Sequence, residues 1–422
     1  MLEITKIREN KAAIIEALNV RNIDATHDIN KLLELDTAWR NAKSELETLA
    51  SESNKIAKEI GELFKSGNKE AAIVAKTRAS ETKAKEPELK EKVSRLFEEI
   101  TSILYLLPNI PNPIVPKGNA DTDNVIESEY GTIPSLHAQA IPHWELAKKY
   151  NIIDFELGVK VTGAGFPFYI GKGARLQRSL INFFLDEARD AGYKEVIPPF
   201  VVNEASGIGT GQLPDKEGQM YHSPTDDLYL IPTGEIPLTN IFRDVIVKEE
   251  EFPIKLTGYT PCFRREAGSY GSDVRGLNRL HQFDKVEIVR VEHPDRSYDA
   301  LNEMVNYVEG LLRKLELPYR KLRLCGGDLG FTAALTYDLE VYSVAQEKWL
   351  EVSSISNFET YQSNRLKLRY KNSEKKSVLA HTLNGSALAL PRILAAILEN
   401  NQTESGVNIP KILVPYTGFE KI

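Results

Sequence analysis

The chain has 422 residues, 42% of them hydrophobic, and 53 Lys and Arg against 60 Asp and Glu give a net charge of −7. This length suggests two or three domains, and the acidic balance argues against a uniformly basic protein that coats nucleic acid. Two cysteines are too few for a disulfide framework or a four-thiolate zinc site. No apolar run reaches the roughly 18 residues of a membrane span, and no signal peptide opens the chain. We therefore expect a multidomain protein of the cytoplasm without a membrane segment.

Residues 27–107 show the 3.5-residue hydrophobic period of a coiled coil. Apolar residues recur at spacings of three and four over residues 32–63, and the same rhythm returns over residues 89–107. Between the two runs, residues 65–69 contain Ser-Gly-Asn, which breaks helices. The pattern predicts two antiparallel helices that form an arm on the order of 55 Å long. Mainly alanines continue the seam at the start of the second helix, and we expect Pro87 to kink this helix or remove a hydrogen bond.

The predicted arm is slightly basic. Residues 38–96 contain 13 Lys and Arg against 10 Glu, so this segment carries +3 and the rest of the chain −10. The solvated surface of a coiled coil accounts for such charges by itself. An arm that follows the phosphates of a nucleic acid accounts for them as well.

A cluster of prolines separates the arm from the rest of the chain. Four prolines within residues 108–116 indicate a stiff, extended linker, which we assign to residues 108–130. The linker divides an N-terminal domain, residues 1–107, from a second domain, residues 131–422. Beyond the linker, strand-like runs are predicted at residues 228–231, 255–265, 283–291, 321–324, 337–342 and 379–383. Many strands with few crossover helices predict an α+β fold, with a mostly antiparallel sheet flanked by helices.

The most informative segment is a predicted hairpin at residues 260–287. Strand alternation places Arg264 and Glu266 on one face, and Phe283 and Glu287 on one face of the returning strand. This set suits a nucleotide, because a guanidinium can neutralise an α-phosphate, an aromatic ring can stack on a base and a carboxylate can accept from a base amino group. Each residue taken singly is also explained as a surface ion pair or a core aromatic.

Two other segments extend this candidate site. Residues 351–354 are expected at the end of a strand, where the Glu351 carboxylate and the Ser354 hydroxyl can share a magnesium ion with phosphate oxygens. Pro391 fits the first position of a helix, which places Arg392 at the helix N-terminus, where an anion is favoured. A solvated strand end and a surface arginine are the alternative interpretations.

Together these motifs resemble the class II aminoacyl-tRNA synthetases, and specifically the bacterial-type seryl-tRNA synthetase family. The helix and strand that end at residues 198–199 resemble class II motif 1, the hairpin at 263–287 motif 2, and the strand and helix at 383–400 motif 3. Several stretches are also close to that family, namely TPCFR at 260–264, HQFDKVE at 281–287, CGGDLGF at 325–331 and TLNGS at 382–386. The N-terminal helical hairpin is the appendage that distinguishes the family.

The resemblance implies a two-step reaction. The carboxylate of L-serine attacks the α-phosphate of MgATP to give seryl-adenylate and pyrophosphate, and the seryl group then passes to the 3′ end of serine tRNA. The implied partners are ATP, L-serine, serine tRNA with its long variable arm on the helical hairpin, and a second copy of the chain in a homodimer. Mg²⁺ is expected with ATP and zinc is not, because Cys262 and Cys325 lack suitable partners. The resemblance leaves open whether selenocysteine tRNA is also charged.

Carried over residue by residue, the resemblance assigns each motif a role. Arg264 would hold the α-phosphate and Arg392 the γ-phosphate, which makes these arginines the candidate catalytic residues, while Glu351 and Ser354 would hold Mg²⁺. The other residues assigned to the nucleotide are Arg265, Glu266, Phe283, Val352 and Ser353. The residues assigned to serine are Thr233, Gly234, Glu235, Arg264, Glu287, Asn384 and Ser386.

The serine assignments are chemically reasonable. A buried carboxylate at Glu287 can accept the substrate hydroxyl, and alanine would leave that carboxylate unpaired, so such a site can reject alanine by orders of magnitude. The family often has Thr-Ala-Glu where this chain has Thr233-Gly234-Glu235, and we expect the glycine to make this loop more flexible.

Two other functions are alternatives to the enzyme. A non-catalytic tRNA-binding relative should have lost at least one of four key residues, all of which are present: Arg264, Glu287, Glu351 and Arg392. A ligase that serves a carrier protein should have a missing or shortened arm, and the predicted arm is full length. The sequence therefore favours an active serine–tRNA ligase.

Overall fold

The computed structural model describes residues 1–215, 218–266 and 275–422. These residues divide into two compact units. One unit comprises Leu2–Asn19 and Ile23–Pro108, and the other comprises Met1, Val20–Asn22 and Asn109–Ile422. Part of the segment predicted as a linker belongs to the second unit as regular structure, since Val125–Tyr130 forms a strand at the edge of its large sheet.

The first unit is helical. Its helices are α1 (Ile4–Glu9), α2 (Lys11–Asn19), α3 (Thr26–Lys65) and α4 (Lys69–Leu106). The last two pack against each other as the predicted antiparallel arm. The Asn68 side chain at the tip accepts a hydrogen bond from the Ala71 amide and caps α4.

Alanines complete the seam of the arm, as the spacing predicts. Ala72 and Ala75 of α4 are buried, as are Leu96 and Ile100 further along the same helix. Near the tip the buried seam of α4 is therefore made of alanines, while the larger apolar residues Ile73 and Val74 are exposed. Helix α4 also continues through Pro87, so the proline removes one hydrogen-bond donor without ending the helix.

The second unit combines helices with strands. Its helices are α5 (His143–Lys149), α6 (Phe155–Val161), α7 (Lys172–Asp190), α8 (Glu204–Thr210), α9 (Glu235–Asn240), α10 (Ser297–Lys314), α11 (Thr360–Leu366), α12 (Leu390–Asn400) and α13 (Val414–Thr417). Its strands are β1 (Val125–Tyr130), β2 (Ile153–Asp154), β3 (Phe168–Tyr169), β4 (Lys194–Glu195), β5 (Val201–Asn203), β6 (His222–Ser223), β7 (Leu228–Leu230), β8 (Ile246–Lys248), β9 (Ile254–Phe263), β10 (Gln282–Glu292), β11 (Tyr319–Arg323), β12 (Leu335–Ser343), β13 (Lys348–Glu359), β14 (Arg369–Lys371), β15 (Ser377–Leu379), β16 (His381–Ala389), β17 (Gln402–Thr403) and β18 (Gly406–Val407).

Within the described residues, the main sheet has eight strands in the order β1-β11-β12-β13-β16-β10-β9-β4. Neighbouring strands are antiparallel except β4 and β9, which are parallel. The predicted α+β fold with a mostly antiparallel sheet is therefore confirmed. No helix in the described parts of the chain is long and apolar enough to cross a membrane.

The core of this unit fixes which way the strands face. Ile288 of β10, Ile355 of β13 and Leu383 of β16 are fully buried in one apolar cluster with residues of α7, α10 and α12. Because side chains alternate along a strand, residues 283, 285 and 287 of β10 point away from Val286 and Ile288. Phe283, Lys285 and Glu287 are thereby placed together on the face of the sheet opposite that cluster.

Three local predictions differ from the structure. The predicted strand at residues 379–383 is two strands, β15 and β16, divided at Ala380. Residues 351–354 lie within β13 and not at a strand end, because pairing with β12 continues on both sides of them. Pro391 is the second residue of α12, after Leu390, because the chain turns into the helix one residue earlier. Arg392 is still in the first turn.

Candidate active site

A cavity of about 560 Å³ lies against the face of the sheet that carries Phe283, Lys285 and Glu287. It gathers almost all of the sequence-predicted site residues, from three strands, two loops and the starts of α9 and α12: Thr233, Glu235, Arg264, Glu266, Phe283, Glu287, Glu351, Val352, Ser353, Ser354, Asn384, Ser386 and Arg392. Two predicted residues do not line it, Gly234 and Arg265. Residues 267–274 of the predicted motif 2 loop lie outside the described residues.

Arg264 and Phe283 form one wall of the cavity. Arg264 follows the end of β9, and its guanidinium carbon lies 5.2 Å from the centroid of the Phe283 ring on β10. The Nε–H of Arg264 donates to the carbonyl of Pro232 at 3.3 Å. Stacking on the ring and a hydrogen bond to the backbone hold this cation at the cavity surface.

Arg392 forms a second cationic position. Its Nη1 donates to the Glu351 carbonyl at 2.7 Å and lies 3.5 Å from the Glu351 carboxylate, and its Nε donates to the Asn278 carbonyl at 3.1 Å. Because Arg392 stands in the first turn of α12, the partial positive charge of the helix start adds to that of the guanidinium. This corner of the cavity suits a phosphate.

Glu351 and Ser354 face the cavity from the middle of β13. The pairing of β13 with β12 shifts register between Leu339 and Glu340, and such a bulge interrupts strict alternation. For this reason all four residues of 351–354 can line the same cavity.

Asp338 on β12 lies directly opposite Ser354. Burial and the negative charge of Glu351 raise the pKa of the Asp338 carboxyl well above its usual range, while a hydrogen bond from Ser354 acts in the opposite direction. Its Oδ1 atom is buried without a hydrogen-bond partner among the described residues. Carboxylate and hydroxyl oxygens are the protein ligands that Mg²⁺ takes beside substrate phosphates, so the donor set fits that ion. Nevertheless, no group of three or more His, Cys, Asp and Glu in the described residues is arranged to hold a metal by itself.

Glu287 is the centre of a buried polar cluster. Its Oε2 atom lies 2.6 Å from Lys285 Nζ and accepts a hydrogen bond of 3.3 Å from Thr233 Oγ1, while Lys285 also donates to Thr233 Oγ1 at 2.7 Å. Ser386 of β16 stands opposite Glu287 in the sheet. Burial raises the pKa of Glu287, and the charge of Lys285 opposes that shift.

Glu235 places a second carboxylate in the same cavity. Its oxygens accept hydrogen bonds from Gln362 Nε2 at 2.5 Å and from Gln212 Nε2 at 3.2 Å. The pKa of Glu235 is raised to about 7, mainly by burial and secondly by the negative charge of Glu287. The pair of carboxylates makes this half of the cavity a site for a cation with hydrogen-bond donors.

Gly234 packs the Thr233–Glu235 loop against the sheet. A Cβ atom there would lie 3.1 Å from Thr260 Oγ1 and 3.3 Å from the Cβ of Glu287. Its backbone is in the ordinary right-handed helical region, so a larger residue would be disfavoured only by these tight contacts and not by an unusual φ. The close contact packs Thr233 and Glu235 onto the sheet.

Sequence reasoning missed four residues that shape the site: Gln212, Lys285, Asp338 and Gln362. A signal for Lys285 was available, because it lies between Phe283 and Glu287 on the same face of one strand. The other three come from distant segments, and only the tertiary structure places Gln212 in the cavity, Asp338 opposite Ser354 and Gln362 against Glu235.

Comparison with known proteins agrees with this architecture. Residues 220–401 match the family model described as the tRNA synthetase class II core domain (G, H, P, S and T), and residues 1–111 match the seryl-tRNA synthetase N-terminal domain. The fold and its cavity define a class II aminoacyl-tRNA synthetase.

The serine–tRNA ligase of Salinibacter ruber is 50% identical over 424 residues, which cover 100% of this chain and 99% of the relative. The crystal structure of seryl-tRNA synthetase from Pyrococcus horikoshii complexed with ATP superposes with a TM-score of 0.92 at 35% identity, covering 100% of this chain and 99% of the other. The crystal structure of the cytoplasmic serine–tRNA ligase of Naegleria fowleri in complex with AMP superposes with a TM-score of 0.87 at 29% identity, covering 100% of this chain and 98% of the other. The chain belongs to the seryl-tRNA synthetase family, which confirms the resemblance found in the sequence.

Proposed function

We propose that this protein activates L-serine with MgATP and transfers the seryl group to the 3′ end of serine tRNA. The observation that carries this proposal is the division of one cavity into two halves. One half offers two guanidinium groups, of Arg264 and Arg392, and the other offers the buried carboxylates of Glu235 and Glu287. A polyanionic nucleotide and a small amino acid with an ammonium and a hydroxyl group complement these halves.

In the first step, the serine carboxylate displaces pyrophosphate at the α-phosphate of ATP. Arg264 neutralises the charge that develops on the α-phosphate, and Arg392 holds the γ-phosphate away from the attacking group. Phe283 stacks on adenine and Glu266 accepts from its amino group. Glu351 and Ser354 would hold Mg²⁺, which screens the phosphate charges when bound. Since alignment and charge neutralisation suffice for such a displacement, no covalent enzyme intermediate is required.

In the serine half, Glu235 pairs with the ammonium group and Glu287 accepts from the hydroxyl. Lys285 and Thr233 hold the Glu287 carboxylate in place, so its orientation is set before serine enters. Alanine would leave that buried carboxylate without the substrate hydroxyl, which costs more than a lost contact at a surface. Ser386 and Asn384 close this side of the pocket.

We assign tRNA binding to the N-terminal region, residues 1–107, and catalysis to residues 131–422. The +3 charge of residues 38–96 supports an arm that binds the phosphates of the long variable arm of serine tRNA.

We also propose a cytoplasmic homodimer formed through the motif 1 region. Exposed apolar residues in and directly after this region support a subunit interface, among them Ile197 at 84% exposure and Val201 at 45%.

The deciding experiment is ATP–pyrophosphate exchange with each of serine, threonine and alanine, followed by charging of serine tRNA. We expect exchange with serine that exceeds exchange with alanine by more than about a thousandfold, because the Glu287 carboxylate is buried. Exchange with another amino acid but none with serine would overturn the proposal. Exchange without charging would restrict it to the first step.

A further inference from the structure

A buried histidine lies outside the cavity and contacts a segment that lines it. His143 begins α5, and its side chain has no exposed surface. Its Nδ1 atom lies 2.6 Å from Glu399 Oε1, and its Nε2 atom accepts a hydrogen bond of 2.8 Å from the backbone amide of Leu277. Because the amide donates to Nε2, the ring proton lies on Nδ1 and is donated to Glu399.

The backbone at residues 275–278 is fitted closely to α5. Gly276 has a φ of +68°, and a Cβ atom there would lie 2.2 Å from His143 Nε2, so only glycine allows the imidazole to reach the next amide. The preceding residue, Arg275, stacks on Trp144 at 4.8 Å and lies 3.6 Å from the Glu145 carboxylate. The first three residues of α5 therefore all contact residues 275–277 of this segment.

Glu399 connects the same segment to α12. Its Oε1 atom also accepts from Gln346 Nε2 at 3.0 Å, and Gln346 Oε1 accepts from Asn278 Nδ2 at 2.8 Å. Glu399 and Arg392 stand seven residues apart, on the same face of α12. The Asn278 carbonyl accepts from Arg392 Nε at 3.1 Å, so the segment is tied to α12 at two points two turns apart.

We propose that His143 and Glu399 are positioning residues for the ATP-binding half of the cavity. They fix the 275–278 segment, whose Asn278 carbonyl holds the guanidinium of Arg392. The inference rests on the proposed function, in which Arg392 holds the terminal phosphate of ATP. Neither residue lines the cavity, so both act through the backbone and through Arg392, as buried supporting partners do in other sites.

Two substitutions at position 143 separate the two hydrogen bonds. His143→Asn keeps a donor near the Nδ1 position and removes the acceptor for Leu277, whereas His143→Gln keeps an acceptor near the Nε2 position. We expect His143→Asn to weaken ATP binding, measured by calorimetry, by about tenfold, because one buried backbone donor loses its partner. His143→Gln should stay within about threefold of the unaltered protein, and the KM for serine should change by less than about twofold in both variants.

The outcomes separate this inference from the proposed function. Unchanged ATP affinity in His143→Asn, equal losses in the Asn and Gln variants, or equal increases in the KM values of ATP and serine would each overturn the positioning role. Absence of serine-dependent exchange in the unaltered protein would overturn the proposed function alone, because ATP binding is measured directly.

If His143→Asn does not fold, Gln346→Leu decides the question. This variant removes the contact with Asn278, and we expect it to weaken ATP binding by about threefold with unchanged serine KM.

Discussion

Glu235 and Glu287 are both buried carboxylates of the serine half, yet their partners differ. Glu287 is balanced by the ammonium group of Lys285 at 2.6 Å. Glu235 is hydrogen-bonded only to neutral side-chain amides in the described residues, those of Gln212 and Gln362. The uncompensated charge on Glu235 is therefore the one that an ammonium group of a substrate would neutralise.

This difference predicts a pH dependence of serine activation. Burial and the charge of Glu287 raise the pKa of Glu235 to about 7, so Glu235 is ionised above that pH and neutral below it. We expect kcat/KM for serine in ATP–pyrophosphate exchange to fall as the pH drops from about 8 to about 6, because protonated Glu235 does not pair with ammonium. In the Glu235→Gln variant, kcat/KM for serine should be at least about tenfold lower than in the unaltered protein at the higher pH, and it should not change with pH across this range. An unaltered protein with a flat profile would contradict the ammonium role.

At the residue scale, sequence patterns were informative where a short motif carried the chemistry. Arg264, Phe283 and Glu287 lie on one strand–loop–strand segment, so alternation alone predicted that they converge, and they line one cavity. Gln212 and Gln362 were not predictable, since they are 150 residues apart and meet only through the carboxylate of Glu235. Their roles depend on tertiary packing, and contacts between distant segments produce no periodic pattern in the sequence around either residue.

At the scale of elements, periodicity predicted the arm well. A heptad pattern of alanines was enough to extend the seam to Ala72 and Ala75, both buried. Helix α4 continues through Pro87, in keeping with the expectation that the proline kinks the helix or removes one hydrogen bond. Strand ends were predicted less well. Residues 351–354 are expected at the end of a strand, whereas they lie within β13, where a bulge lets all four line the cavity.

The arm predicts a separation of the two reaction steps. Deleting residues 36–103 and joining the ends by a short Gly-Ser linker removes most of α3 and α4, none of which lines the cavity. We expect ATP–pyrophosphate exchange within about twofold of the full chain, and charging of serine tRNA reduced by more than about a hundredfold through lost phosphate contacts. Equal charging by the truncated protein would show that the arm is not the tRNA-binding element.

For the whole molecule, the proposed homodimer gives a direct test. The chain has a mass of 47.4 kDa, and sedimentation equilibrium should give about twice this value. Ile197→Asp places a charge on the most exposed large apolar side chain of the motif 1 region, and we expect it to sediment as the monomer because an unpaired charge in an interface is costly. Ile73→Asp, on an arm residue that is 64% exposed, is the matched control and should remain dimeric. A dimeric Ile197→Asp protein would place the interface elsewhere.

The raised pKa of Glu235 also has a consequence for folding. An acid whose pKa rises from 4.5 to about 7 on folding binds more protons in the folded state, so the stability of the fold decreases as the pH rises through this interval. The loss reaches on the order of 3 kcal/mol above pH 7, a substantial share of the roughly 5–15 kcal/mol by which a domain is stable. Serine bound through its ammonium group would restore part of that energy. If serine binds in this way, the supply of the amino acid would influence how much of this protein stays folded, as well as how fast it works.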